Sequence, residues 1–191
     1  MNKWSEFNKN TKNNVLRELY VESVSLLSSK EIEALDIAAG AMNETRDMLG
    51  RGFNVTAIDS NEDLRTLAEE FDKKRLKTVV STMEDYDYGV DRFDFIIAMF
   101  ALPFIKPDRF TGTFSSIIKS LKQDGIFAFH LFGVNDEWAN NTDMTFFNDE
   151  SARNLLGDLD VIKFKEIKNN DKLASGETKR WHIFQIIIKK S

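Results

Sequence analysis

Along most of this chain the apolar residues keep changing period, from runs that suit a strand to spacings that suit a helix, and few folds accommodate that rhythm. Ala34-Leu35-Asp36-Ile37 reads as a short buried strand, and Phe53-Asn54-Val55-Thr56-Ala57-Ile58 as a second. Residues 76–81 give a third. Phe93-Asp94-Phe95-Ile96-Ile97-Ala98 gives a fourth that is almost wholly apolar, the mark of a strand covered on both faces in a parallel sheet. Residues 126–132 give a fifth. Helical spacings fall between them. One covers residues 44–49 and is closed by Gly50 and Gly52. A second covers residues 61–74, with Leu64, Leu67, Ala68 and Phe71 on one face. A third starts at Pro107 and turns Phe110, Phe114, Ile117, Ile118 and Leu121 inward. Leu16, Leu19, Tyr20, Val24 and Leu27 predict an amphipathic helix before the first strand.

After residue 132 the rhythm alters. Asn148 can cap a helix running to about Leu156. Strands at 161–167 and 181–188 then flank a polar stretch, residues 168–176, as a hairpin does. The expectation is an α/β, doubly wound, mainly parallel seven-stranded sheet. Its C-terminal hairpin strand should run antiparallel beside strand five. A single domain over 1–191 suits this length.

Composition removes several function classes. The chain has no cysteine, which excludes disulfides, thiolate metal ligands and a cysteine nucleophile. Its two histidines, His130 and His182, lie far apart and make a poor metal site, so no metal is expected. The net charge is −5, and the densest basic run, Lys73-Lys74-Arg75, ends a predicted helix where cations complement the dipole. No basic face for nucleic acid is expected. Residues 93–104 are too short an apolar run to span a membrane, and the polar, acid-containing start is unlike a signal peptide. The expected location is the cytoplasm.

In doubly wound sheets ligands bind beyond the carboxyl ends of the strands. The loop after strand one reads Ala38-Ala39-Gly40-Ala41-Met42-Asn43. Asp59 ends strand two about 20 residues after Gly40, where a carboxylate can accept both ribose hydroxyls of an adenosine. Asp36 and Asp59 could also simply end strands at the solvent boundary, and Glu84-Asp85 could be a solvated loop.

On these residues the chain resembles class I S-adenosylmethionine-dependent methyltransferases, and within them a small bacterial branch of the tellurite-resistance type. The resemblance also rests on Ala101-Leu102-Pro103-Phe104, Phe132-Gly133, Asp136 with Trp138, Met144-Thr145-Phe146, and the run from Gly176 through Lys179-Arg180-Trp181-His182-Ile183-Phe184. It implies S-adenosyl-L-methionine as cofactor, held by Asp36, Ala38, Gly40, Met42, Asp59, Ser60, Met83, Glu84, Met99, Phe100 and Leu102. It also implies that the first 30 residues form a helical lid. The family loop carries glycine where this chain has Ala38 and Met42. Met42 either intrudes on the space of the cofactor's amino-acid end or, the favoured expectation, turns aside and packs against the sulfonium region or neighbouring aromatics.

Methyl transfer is a displacement on carbon that depends chiefly on positioning. Trp4, Arg17, Phe132 and Trp138 are candidates for the acceptor pocket. His130 is the candidate general base, although a histidine in an apolar strand is more often structural. The acceptor is expected to be a small molecule. Two other readings stand beside this one. A non-catalytic protein could keep the fold while its glycine loop decays. A nicotinamide-dependent oxidoreductase would place its glycines at Ala38, Gly40 and Asn43, but the chain has no Tyr-x-x-x-Lys pair.

Overall fold

The computed structural model describes residues 3–28, 31–173 and 175–191. Its strands are β1 (Glu33–Ile37), β2 (Asn54–Asp59), β3 (Leu76–Val80), β4 (Phe93–Ala98), β5 (Leu121–Gly133), β6 (Phe146–Phe147), β7 (Asp160–Lys172) and β8 (Thr178–Lys189). They form one sheet in the order β3-β2-β1-β4-β5-β8-β7. The first five pair in parallel, and β8 runs antiparallel to both β5 and β7. This is the expected mainly parallel sheet with its reversed C-terminal hairpin. The eighth strand is the two-residue β6, which pairs with Phe132 and Gly133 at the end of β5. Two residues are too few to carry a period.

The apolar runs explain the layering. Successive side chains of a strand point to opposite faces. Ile96 and Ala98 of β4, Leu35 and Ile37 of β1, and Phe127, Phe129 and Leu131 of β5 share one core. Phe95, Ile97, Ala34, Ile126 and Ala128 belong to the other. Helices α5 (Pro107–Ser120) and α6 (Asp149–Leu156) cover the first face with Phe110, Phe114, Ile117, Ala152 and Leu156. The second face is covered by α2 (Glu18–Ser25), α3 (Asn43–Gly50) and α4 (Asp63–Leu67), through Leu19, Tyr20, Val24, Met48 and Leu64. Asn148 caps α6 in a capping box with Ser151. Strand β7 is the exposed edge, and the exposed Lys165 and Lys168 along it discourage pairing with another sheet.

Several boundaries differ from the sequence expectation. The opening segment holds two helices rather than one: α1 (Lys3–Thr11) precedes α2. The helix expected over 61–74 stops at Leu67, continues as one 3-10 turn, Ala68–Glu70, and ends where Phe71 becomes extended. Strand β5 begins five residues early, at Leu121. The hairpin strands consume most of the expected 168–176 loop, of which position 174 lies outside the described residues. Gly133 is needed where β5 meets β8, because a Cβ there would lie 2.1 Å from the buried His182 ring.

Candidate active site

Three residues other than Gly, Asn or Asp have left-handed backbone among the described residues. They are Ala38 (φ 56°), Met42 (φ 60°) and Phe100 (φ 56°). All three sit just past the carboxyl ends of β1 and β4, the neighbouring central strands. Each costs about 1–2 kcal/mol relative to ordinary backbone, and strain of this kind clusters at functional loops. Gly40, between Ala38 and Met42, also has positive φ, 53°. The loop therefore keeps a left-handed residue at every second position although glycine occupies only one of them.

Hydrogen bonds hold that shape. Ala39 N–H donates to the Ile58 carbonyl (3.0 Å) and Met42 N–H to the Ala39 carbonyl (2.8 Å). Gly40 N–H donates to Asp59 Oδ2 (2.9 Å), and Asn61 N–H donates to Asp59 Oδ1 (2.8 Å). Asp59 thus ties the β1 loop to the β2 loop. A carboxylate offers about four lone-pair sites, so two remain for a ligand's hydroxyls. The exposed Ser60 follows it. Met83 and Glu84 come just after β3, whose Val80 pairs with Asp59. Met83 is half-buried against the core and its carbonyl accepts from Tyr88 Oη.

Charge gathers beneath the loop. Asp36 is buried and accepts from Thr45 Oγ1 at 2.6 Å. Burial pushes its pKa from 3.8 up to about 7; Glu44 adds to the rise, while Thr45 and Arg17 oppose it. Arg17 Nη1 pairs with the buried Glu44 at 2.7 Å, and its guanidinium lies 5.7 Å from the Phe100 ring centre. Since the folded state holds the Asp36 proton across a window where the unfolded chain has lost it, stability should fall as pH rises from about 4 to 7 and then level off. Urea denaturation at a series of pH values should show this slope. An Asp36→Asn variant with the same slope would show that Asp36 is not its source.

The N-terminal segment lies over the loop. A Cβ on Gly40 would meet Asn8 Oδ1 of α1 at 3.4 Å. Asn43 Nδ2 donates to the Thr11 carbonyl, Lys12 pairs with Glu70, and Trp4 meets the Phe104 ring edge-on at 5.5 Å. Helix α1 therefore touches the segments that follow β1 and β4, and Lys12 just after it reaches the helical turn after β2. Residues 1, 2, 29 and 30 of the expected lid lie outside the described residues.

The other expected residues divide into two groups. Phe100 stacks on His130 at 4.1 Å, and Phe132, Phe104, Trp138 and Trp181 form a ring cluster with it. Four others are buried. Met42 is fully buried and joins the core that contains Leu19, Tyr20 and Met48, so its side chain turns aside from the cleft. An unbranched thioether can turn aside in this way. Leu102 is also fully buried and leaves no surface for a ligand. Met99 is nearly so. His130 is 1% exposed, and its Nδ1 faces the Phe100 N–H at 3.4 Å. Burial lowers its pKa to about 3, with Arg17 adding, so the ring is neutral and braces Phe100 rather than standing open as a base.

Comparison with known proteins bears on the domain and its fold. The model of the methyltransferase domain family matches residues 35–129, from β1 through β5. The chain carries a methyltransferase domain on the fold of class I S-adenosylmethionine-dependent methyltransferases. The methyltransferase is 26% identical over 164 residues to an uncharacterized methyltransferase of Staphylococcus carnosus, covering 84% of this chain and 78% of that one. In fold it is similar to TehB from Haemophilus influenzae, with a TM-score of 0.80 at 14% identity over 99% of this chain and 67% of that chain. It is also similar to the Burkholderia thailandensis 1,6-didemethyltoxoflavin-N1-methyltransferase, solved with that compound and S-adenosylhomocysteine. There the TM-score is 0.73 at 21% identity, over 98% of this chain and 87% of that chain. At such identities these two structures speak for the fold alone. Sequence reasoning missed Glu44, Phe104 and the Asp136–Lys179 pair as neighbours of the expected site residues. The last two lay inside segments that carried the resemblance.

Proposed function

We propose that this methyltransferase moves a methyl group from S-adenosylmethionine to a small-molecule acceptor in the cytoplasm. The observation that carries the reading is the β1 loop with left-handed Ala38, Gly40 and Met42, bound through Gly40 N–H to a carboxylate with acceptor sites to spare. Asp59 would take the ribose hydroxyls, beside Ser60, with Met83 and Glu84 bordering the adenine. Asp36 and Glu44, buried beneath the loop, would favour the cofactor's cationic groups through their field rather than by contact, and Arg17 suits its carboxylate.

When bound, the cofactor supplies an electrophilic methyl carbon and a neutral thioether leaving group. The protein's task is to align an acceptor and exclude water, and such positioning is worth roughly 7–11 kcal/mol. Trp4 and the rest of α1 would close the cleft, and His130 would hold Phe100 in place. A small acceptor fits the net charge of −5 and a chain whose β–α units carry no inserted substrate domain. The 1,6-didemethyltoxoflavin bound by the Burkholderia enzyme supports the same class.

Asp59→Ala should weaken S-adenosylhomocysteine binding by about 1.5–3 kcal/mol, the range for hydrogen bonds to a charged group. Calorimetric titration measures it, and unchanged affinity would remove Asp59 from the site.

A further inference from the structure

Beyond β4 and β5, four half-buried rings, Phe100, Phe104, Trp138 and Trp181, surround the buried Phe132. Their centres lie 5.7–6.4 Å apart in tilted and edge-on pairs. Beneath them Lys179 and Asp136 have fully buried side chains. The Lys179 ammonium lies 3.6 Å from the Trp181 ring centre, 4.2 Å from Trp138 and 4.9 Å from Phe132. It donates to both Asp136 oxygens, which also accept from the Trp138 and His182 N–H groups. Both indoles are thus fixed from their buried side by one cation. Phe100 is fixed from below by His130 and is presented by left-handed backbone. A ring set held this firmly loses little entropy when a flat ligand stacks on it.

Three ionisable groups nearest the ring set among the described residues are engaged. His130 Nδ1 faces the Phe100 N–H, Lys179 is tied to Asp136, and Glu44 is tied to Arg17. None of these three stands free to remove a proton from an alcohol or an ammonium group. The acceptor atom must arrive with its own lone pair.

Resting on the proposed methyl transfer, we propose that the acceptor is a planar aromatic or heteroaromatic molecule. It stacks against Phe100, Trp138 and Trp181, and its nucleophile is a ring nitrogen or a ring-bound oxygen already ionised at neutral pH. The acceptor's lone pair forms the bond to the methyl carbon as the carbon–sulfur bond breaks. The bonding pair leaves on sulfur, and any proton left on the ring nitrogen passes to water.

The test starts from full-length protein loaded with S-adenosylhomocysteine, its binding verified by calorimetry. Lumazine, 8-hydroxyquinoline and 2,4-dinitrophenolate serve as ring probes; ethanolamine, glycine and 2-mercaptoethanol serve as aliphatic ones. Probe binding is read by tryptophan fluorescence, and transfer by labelled methyl from S-adenosylmethionine. Ring probes should quench saturably. Trp138→Leu and Trp181→Leu should each weaken that binding at least tenfold while S-adenosylhomocysteine affinity stays within twofold, and the Phe variants at both positions should recover most of it. Failure of S-adenosylhomocysteine to bind overturns the cofactor reading and this inference with it. Cofactor binding without quenching by any ring probe, or methyl transfer to the aliphatic set alone, overturns this inference by itself.

Discussion

Lys179→Met should destabilise the methyltransferase by about 3–5 kcal/mol, the range observed when one partner of a buried ion pair is removed. The methionine keeps most of the volume and loses the charge. Asp136 is then buried with only the Trp138 and His182 N–H groups facing it. Burial already pulls the Lys179 pKa down against the opposing pull of Asp136, which shows how far the two depend on each other. In a chain of this size the loss corresponds to a fall in Tm on the order of 10 °C, and differential scanning calorimetry would record it. Adding Asp136→Asn removes the orphaned charge and should recover a large part of the loss. If the single variant melts with wild type, the pair contributes nothing to the fold and the firm ring set inferred above loses its foundation.

Met42 gives the second large effect, and its ordering is unusual. Met42→Ala removes a fully buried side chain and should cost about 2–5 kcal/mol. It also keeps a Cβ at φ 60°. Met42→Gly loses the same side chain but relieves about 1–2 kcal/mol of left-handed strain. Glycine should therefore be less harmful than alanine here, the reverse of the order within a helix. Neither change should tighten cofactor binding, because the native side chain lies in the core. Denaturant melts of the three proteins check the order. A Met42→Gly protein more stable than wild type, or one that binds S-adenosylhomocysteine more tightly, would show that the methionine obstructs the site.

The sheet was readable because its information is local. An apolar run such as Phe93 to Ala98 states burial on both faces, and Asn148 or Pro107 states where a helix starts. Helix α1 was not readable. It carries only Trp4 and Phe7 as large apolar residues, and it is held by the Phe104 ring, Asn43 and Glu70, all distant in sequence. The 61–74 helix failed in the opposite sense, since its period continued past the point where Phe71 turns extended. At the site, Asp59 could be placed from its spacing to Gly40. The left-handed conformations of Ala38, Met42 and Phe100 could not, because none of these residue types favours them. Lys179, between Thr178 and Arg180, reads as a solvated lysine. Only the folded sheet brings Asp136 and two indoles around it.

The position of β8 between β5 and β7 has a consequence for synthesis. Residues 126–132 acquire their second neighbour only when residues 183–189 have been made, some fifty residues later. At about 5–20 residues per second, a nascent chain exposes the apolar flank of β5 for several seconds. An unpaired strand flank of that kind is a template for pairing between chains. Conditions that slow elongation over this last third, or crowd ribosomes on one message, would then favour aggregates of a protein whose finished sheet carries lysines along its outer strand.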